Sequence, residues 1–331
     1  MVDGAMIGYY VHHHGRGHLT RALAICAHLD EPVIFFSSLP RPPALCAPDT
    51  WVQLPDDVPD TGHAVHDVTA NGRLHWAPAG LGALTRRCAD ILHILAAMAP
   101  RLLVVDVSVE VAVLARVAGV PVVVMAQPGN RSDPAHVLGY DIAERIIACW
   151  SEQVYRPQWL DKHSGKTQMV GAISRFDGAC RPEAPSGRPA GLLLAGAGGS
   201  AVPADALIQL RTALPQYEWS AAGGYAAWVD NPWPQLASAD FVVTHAGQNA
   251  LADTALARAA AIVIPEARPF DEQHAMASAL SRGGVAAVAP EWPAPDRWPA
   301  LAEEACAIDR GRWDLLEVRG AAARAAAAIA A

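Results

Sequence analysis

The sequence predicts an α/β protein built as two doubly wound, parallel-sheet (Rossmann-like) domains that face each other across a cleft. Three observations carry this. Short, almost wholly apolar runs alternate with longer Ala- and Leu-rich segments of helical spacing, the alternation occurs twice, and a stretch with three prolines and no periodicity (181–189) parts the two runs. Strands that read as continuous apolar runs belong to parallel sheets covered on both faces, and their alternation with helices makes βαβ units.

The elements follow in chain order. Apolar strands are expected over 7–11, 33–36, 102–105 and 120–125, and helices over 19–29, 82–97 and 109–118, where apolar residues recur every three to four positions. After the proline-rich stretch, strands are expected over 191–194, 241–244 and 261–264, with helices over 204–214, 249–257, 272–281 and 301–307. This places one domain at 1–182 and a second at 187–310. The Ala-rich tail, 311–331, is helical by propensity and is expected to pack back on the first domain.

Bulk properties narrow the class. A chain of 331 residues suits two domains. It contains no apolar run of the roughly 20 residues that span a bilayer. The first residues lack the basic start of a signal peptide, and the six cysteines are scattered with no C-x-x-C pair, so a reduced, cytoplasmic protein is expected. A net charge of −8 argues against a general nucleic-acid binder.

The first strand runs into His12-His-His14-Gly15-Arg16-Gly17-His18 and a helix that carries Arg21. Open α/β sheets bind ligands beyond the carboxyl ends of their strands, so this loop faces the cleft and is read as an acceptor or phosphate loop. His18, at the helix start, is a candidate general base. Asp106, at the tip of strand 102–105, either orients His18 or caps the helix that follows it. The spacing is not G-x-G-x-x-G, so no NAD site is expected. No metal is expected at the three histidines, because neighbours in an extended segment point to opposite faces and no acidic or cysteine cluster stands near them. The polar loop from Gln127 to His136 is a candidate acceptor wall or an ordinary surface loop.

In the second half, strand 191–194 leads into a glycine-rich turn in which Gly196, Gly198, Gly199 and Ser200 can bring backbone N–H groups and a hydroxyl to phosphate oxygens. Strand 241–244 leads into His245-Ala-Gly247-Gln248-Asn249-Ala-Leu-Ala-Asp253, which opens a helix. Helix starts bind anions through free N–H groups and the positive end of the dipole. Asp253, one turn on, can take ribose hydroxyls, and Asp271-Glu272-Gln273 supplies an acid–amide pair for sugar hydroxyls.

These residues, in this order, resemble the donor domain of glycosyltransferases of the GT-B fold. In the plant and macrolide sugar-nucleotide transferases the segment reads roughly H-C-G-W-N-S-x-x-E and closes with an acid–Gln pair. His245, Gly247 and Asn249 match its His, Gly and Asn, Asp253 falls where that family has Glu, and Glu272-Gln273 falls on the acid–Gln pair. The resemblance implies that His245 and Asn249 hold a diphosphate, Asp253 the ribose, and Asp271 or Glu272 the sugar, with the backbone near Trp228–Val229 pairing with the base edge. Ala259-Ala-Ala261 replaces the usual Gly-Val-Pro, and the connection from Pro265 to Glu272 is longer than in the plant enzymes. The His18 loop resembles the Gly-x-Gly-His loop of the peptidoglycan N-acetylglucosaminyltransferase group, and His18 and Asp106 stand as the base and its supporting acid do in the plant enzymes.

The resemblance implies an inverting, metal-independent glycosyltransferase that needs no cofactor beyond a nucleotide-diphosphate sugar, UDP being the family's majority choice. Its acceptor would be a small molecule, lipid or polymer bearing a hydroxyl, with peripheral membrane contact for a lipid. The alternatives are a nucleotide-sugar hydrolase, which the Gly15-Arg-Gly-His-Leu-Thr-Arg21 loop also resembles, a UDP-sugar 2-epimerase of the same fold, or a binding protein with a degenerate site.

Overall fold

The protein is described from a computed structural model at residues 5–58, 65–180, 187–196, 202–224 and 229–331. Among these residues the first sheet holds β1 (Ile7–Val11), β2 (Val33–Ser37), β3 (Thr50–Gln53), β4 (Leu102–Asp106), β5 (Val122–Ala126), β6 (Arg145–Ala148) and β7 (Thr167–Met169). They lie parallel in the order β3-β2-β1-β4-β5-β6-β7. The helices are α1 (Gly17–Cys26), α2 (Gly82–Met98), α3 (Val109–Val117) and α4 (Pro134–Ile142). The strands Ile-Gly-Tyr-Tyr-Val and Leu-Leu-Val-Val-Asp are buried along their whole length, as apolar runs between two helix layers must be.

The second sheet is β8 (Ala190–Leu194), β9 (Glu218–Ala222), β10 (Phe241–Thr244), β11 (Ala260–Val263) and β12 (Ala287–Val288), parallel in the order β12-β11-β10-β8-β9. With it come α5 (Ala206–Ala213), α6 (Trp233–Ser238), α7 (Gln248–Ala257), α8 (Glu272–Arg282) and α9 (Trp298–Ala307). Helix α10 (Ala321–Ala330) then returns to the first sheet, sharing an apolar cluster with Ile7, Tyr9, Ile25 and Ile147.

Each sheet reverses its strand order once, between β1 and β4 in the first and between β8 and β10 in the second. The reversal opens a crevice at the carboxyl ends of those strands, which is where ligands bind in open α/β sheets. Strand β4 ends in Asp106, the loop after β1 leads to His18 at the start of α1, and β8 and β10 run towards Gly196 and His245. No helix among the described residues is long and apolar enough to cross a membrane.

Several elements depart from the sequence reading. Strands β3, β6, β7, β9 and β12 were not anticipated: β3 and β9 lie at sheet edges with polar residues alternating in, and β12 has only two residues. Helix α4 occupies part of the segment read as a polar loop, started by Asp133 as N-cap and Pro134 in its first turn. The tail is not one helix. A short 3-10 segment over Arg310–Leu316 is separated from α10 by Glu317 at φ 52° and Gly320 at φ 73°.

Candidate active site

The first half of the site is assembled from the ends of β1 and β4, which pair so that Val11 lies beside Asp106. His18, the second residue of α1, places Nδ1 2.9 Å from Asp106 Oδ1. Asp106 is fully buried, and its N-cap reading fails because Ser108 Oγ caps α3 by accepting from the Val111 N–H. Arg21, one turn further along α1 and also buried, donates from Nε to Asp106 Oδ2 at 3.1 Å and from Nη2 to Oδ1 at 2.5 Å. Burial pushes the Asp106 carboxyl up, but the Arg21 charge, with help from His18, outweighs it and holds the carboxyl at about 2. Asp106 is therefore a permanent anion. A carboxylate accepts only, so the bonded Nδ1 carries its proton and His18 Nε2 keeps a lone pair. No described residue bonds that nitrogen.

In the second half, Gly247 N–H donates to His245 Nδ1 at 3.0 Å, which leaves the proton on Nε2. That nitrogen faces Gly196, where a Cβ would stand 3.1 Å from it. Burial pulls the imidazole below its ordinary value against the pull of Glu266, so His245 is a neutral donor aimed at Gly196. The space beside Gly247 is filled by the His245 ring, with which a Cβ would collide. Gln273 is buried, and its Oε1 accepts from Ala246 N–H at 3.1 Å and Glu266 N–H at 2.9 Å, tying together the loops that follow β10 and β11. Asp253 lies on the buried side of α7, where its Oδ1 accepts from Ser174 Oγ at 2.6 Å; burial lifts its carboxyl to about 6 against that bond and the Arg175 charge. Val229 is half-buried against the apolar cluster between the sheets. Gly198, Gly199, Ser200 and Trp228 lie outside the described residues, as do residues 181–186 of the proline-rich stretch.

Residues 210–295, which contain His245, Gly247, Asn249, Asp253, Glu272 and Gln273, match the glycosyltransferase family 28 C-terminal domain. Three solved structures show the whole fold. The glycotransferase of kitacinnamycin superposes at a TM-score of 0.68 with 17% identity over 99% of this chain and 98% of its own. The Acinetobacter baumannii MurG gives 0.63 and 15% over 99% of each chain. The Phytolacca americana UGT2, complexed with UDP-2-fluoro-glucose and pterostilbene, gives 0.63 and 14% over 98% of this chain and 95% of its own. At such identities the likeness is one of fold, and the fold is GT-B. No curated protein sequence matches the chain.

The second domain meets the first through several residues read as donor ligands. Gln248 Oε1 accepts from Arg21 Nη1 at 2.8 Å, and Gln248 Nε2 donates to Cys149 O at 3.3 Å. Asn249 Nδ2 donates to Gly17 O at 3.2 Å, and Arg16 pairs with Asp230 at 3.3 Å. Glu272 Oε2 accepts from the buried Arg131 Nη2 at 3.0 Å, while Asp271 is exposed. Gly129, at φ 94°, lets Asn130 N–H reach Phe270 O at 2.9 Å, closing the loop after β5 onto the loop before α8. His14 is exposed, and Gly15 needs its positive φ of 74° to turn the chain into α1.

Three residues escaped the sequence reading. Arg21 was seen but given no role, because its partner Asp106 is 85 positions away. Arg131 reaches Glu272 across 141 positions. Glu266 is buried, with Oε2 taken by Arg268 at 2.7 Å and Oε1 without a partner among the described residues.

One premise of the sequence reading is corrected. The His12, His13 and His14 rings do not point to opposite faces; they gather at centroid separations of 4.6 to 4.9 Å. The chain has left β1 at Val11 and turns, with His14 N–H donating to His12 Nδ1 at 3.1 Å. An acid is also near, since Asp57 lies 3.7 Å from His13. These three histidines, and separately His75, Asp133 and His136, could hold a metal ion. In the second group the bonds are already made: Asp133 sits 3.0 Å from His75 Nε2 and 2.5 Å from His136 Nδ1.

Proposed function

We propose that the protein is an inverting glycosyltransferase that moves a sugar from a nucleotide diphosphate, UDP first among them, to a hydroxyl group, without a metal ion. The observation that carries this is the His18–Asp106 pair, with His18 Nε2 unbonded among the described residues at the carboxyl edge of one sheet, opposite the start of α7 at the carboxyl edge of the other. The donor binds the second domain and the acceptor the first.

In the reaction His18 Nε2 takes the acceptor hydroxyl proton while the oxygen forms a bond to the anomeric carbon. The bond from that carbon to the diphosphate oxygen breaks in the same displacement, so the sugar's configuration inverts. Asp106, held ionised by Arg21, stabilises the imidazolium. The leaving diphosphate collects negative charge, and the N–H groups at the start of α7 and the His245 Nε2–H are the donors that would receive it in this reading. In this reading the His245 donor and the helix end do the work of a bridging cation. A fold relative with UDP-2-fluoro-glucose bound supports the nucleotide-sugar choice. The place of action is the cytoplasm, or a membrane surface for a lipid acceptor.

A panel of UDP-, dTDP- and GDP-sugars without acceptor tests the reading. Little free nucleotide should appear until an acceptor is added. Rapid acceptor-independent release would establish the hydrolase alternative, with water in the acceptor's place, and inversion at C2 of the sugar would establish the epimerase.

A further inference from the structure

We propose that Arg21 is a positioning residue for the His18 base, and that Gln248 makes its placement depend on the second domain. The inference rests on the base role given to His18 above. His18 and Arg21 are three positions apart on α1, so both leave the same face of the helix and meet one carboxylate. The planar guanidinium grips both oxygens of Asp106, Nε on Oδ2 and Nη2 on Oδ1, and so fixes the rotation of the carboxylate. That keeps an acceptor oxygen, Oδ1, on His18 Nδ1, and so holds the proton on Nδ1 and the lone pair on Nε2. Arg21 Nη2 also lies 3.1 Å from His18 Nδ1. The carboxylate is the stronger acceptor, so both N–H groups aim at Oδ1.

The third edge of the guanidinium leaves the first domain. Arg21 Nη1 donates to Oε1 of Gln248, the first residue of α7. The other end of the same amide donates to Cys149 O, directly after β6. One chain of bonds, Asp106–Arg21–Gln248, therefore joins the base to the helix whose start receives the donor. With α7 withdrawn, Nη1 loses its protein partner and the grip on Oδ1 loosens. The imidazole then holds its reactive tautomer firmly only while the two domains are docked. A counter-charge for buried Asp106 would need neither the two-oxygen grip nor the bond to Gln248.

The test reads the tautomer directly from the ring-nitrogen shifts of His18 in histidine-labelled protein above pH 8, assigned with His18→Gln. Wild type should hold mainly the Nδ1–H form. Arg21→Lys keeps the charge but loses the fork, and should give a mixture of tautomers with turnover down at least ~10-fold, part of what a general base supplies, and nucleotide affinity within about twofold. Gln248→Leu leaves the buried pair whole and should shift the tautomer part of the way in the same direction; it carries the test alone if Arg21→Lys does not fold. A wild-type tautomer and turnover in Arg21→Lys would reduce Arg21 to a counter-charge, and a wild-type spectrum in Gln248→Leu would sever the link to the second domain. A wild-type Nδ1–H ring in a protein that turns over no donor would count against the base reading and leave the positioning intact.

Discussion

Asp106 and Asp253 are both buried carboxylates, and their surroundings drive them in opposite directions. Asp106 meets a guanidinium and is held at about 2, so its stabilising contribution is complete above its unfolded value and is lost only as pH falls toward 2. Asp253 meets chiefly a hydroxyl and stands at about 6. Its contribution is complete below about pH 4 and lost as pH rises through 6, a penalty of about 3 kcal/mol for two units. Asp253→Asn keeps an acceptor for Ser174 without the charge, so thermal unfolding should show it more stable than wild type at pH 8 and equal near pH 4. The same gain at both pH values would mean that the carboxyl is not strained. If Asp253 also takes ribose hydroxyls, calorimetry on that variant will show weaker nucleotide binding. His18→Ala should lower transfer by about 10²- to 10⁴-fold while nucleotide affinity holds; collapse of nucleotide binding would mean that the domain roles are wrong. Glu266 has a buried carboxylate oxygen without a partner among the described residues, which is costly unless something donates to it. Glu266→Gln should weaken binding of the nucleotide-sugar and leave the free nucleoside diphosphate unaffected. Equal losses for the two ligands would assign Glu266 to the loop and not to the sugar.

At the scale of elements, the loops after β5 and before α8 depend on backbone that few residues tolerate. Gly129 sits at φ 94° against Phe270 O, and Phe270 and Asp271 hold φ of 60° and 59° without being glycine. Gly129→Ala should part the two loops, because its Cβ has no room and its φ is strained. Scattering should then show a larger radius of gyration with secondary structure unchanged, and an unaltered radius would show that the docking does not depend on this contact. The elements also explain what could be read from sequence. The buried strands β1, β2, β4, β5, β8, β10 and β11 announce themselves as apolar runs, and His18, Asp106 and His245 stand at the ends of such runs. Edge strands such as β3 and β9 mix polar residues into short segments and give no clear period. Arg21, Arg131 and Gln248 were legible as residue types only, because their roles come from partners 85, 141 and 227 positions away. Local pattern cannot report a bond that only the tertiary fold creates.

For the molecule as a whole, the chain crosses between the two sheets twice, and the second crossing ends in α10. That helix buries Ala321, Ala322, Ala325, Ala326, Ala328 and Ile329 in the cluster that includes Tyr9 and Ile25. Two arginines of the first sheet's surroundings hold its last carbonyls: Arg145 donates to Ala328 O and Ile329 O at 3.1 Å each, and Arg101 to Ala330 O at 3.3 Å. Cations at a helix C-terminus satisfy its free carbonyls and complement its dipole. The second domain is thus strapped to the first by its own end, and the cleft between the two crevices is held from behind as well as across its mouth. Removing 321–331 takes away the burial of five alanine methyls and one isoleucine and bares the face they cover, about 6 kcal/mol and of the order of a whole domain's margin. Calorimetry of the truncated chain should then resolve an early transition for the first sheet and a later one for the second. A single transition at the wild-type temperature would mean that α10 covers the first domain without supporting it. Arg145→Ala, which removes the grip and leaves the apolar face, should lower the first transition by much less than the truncation does.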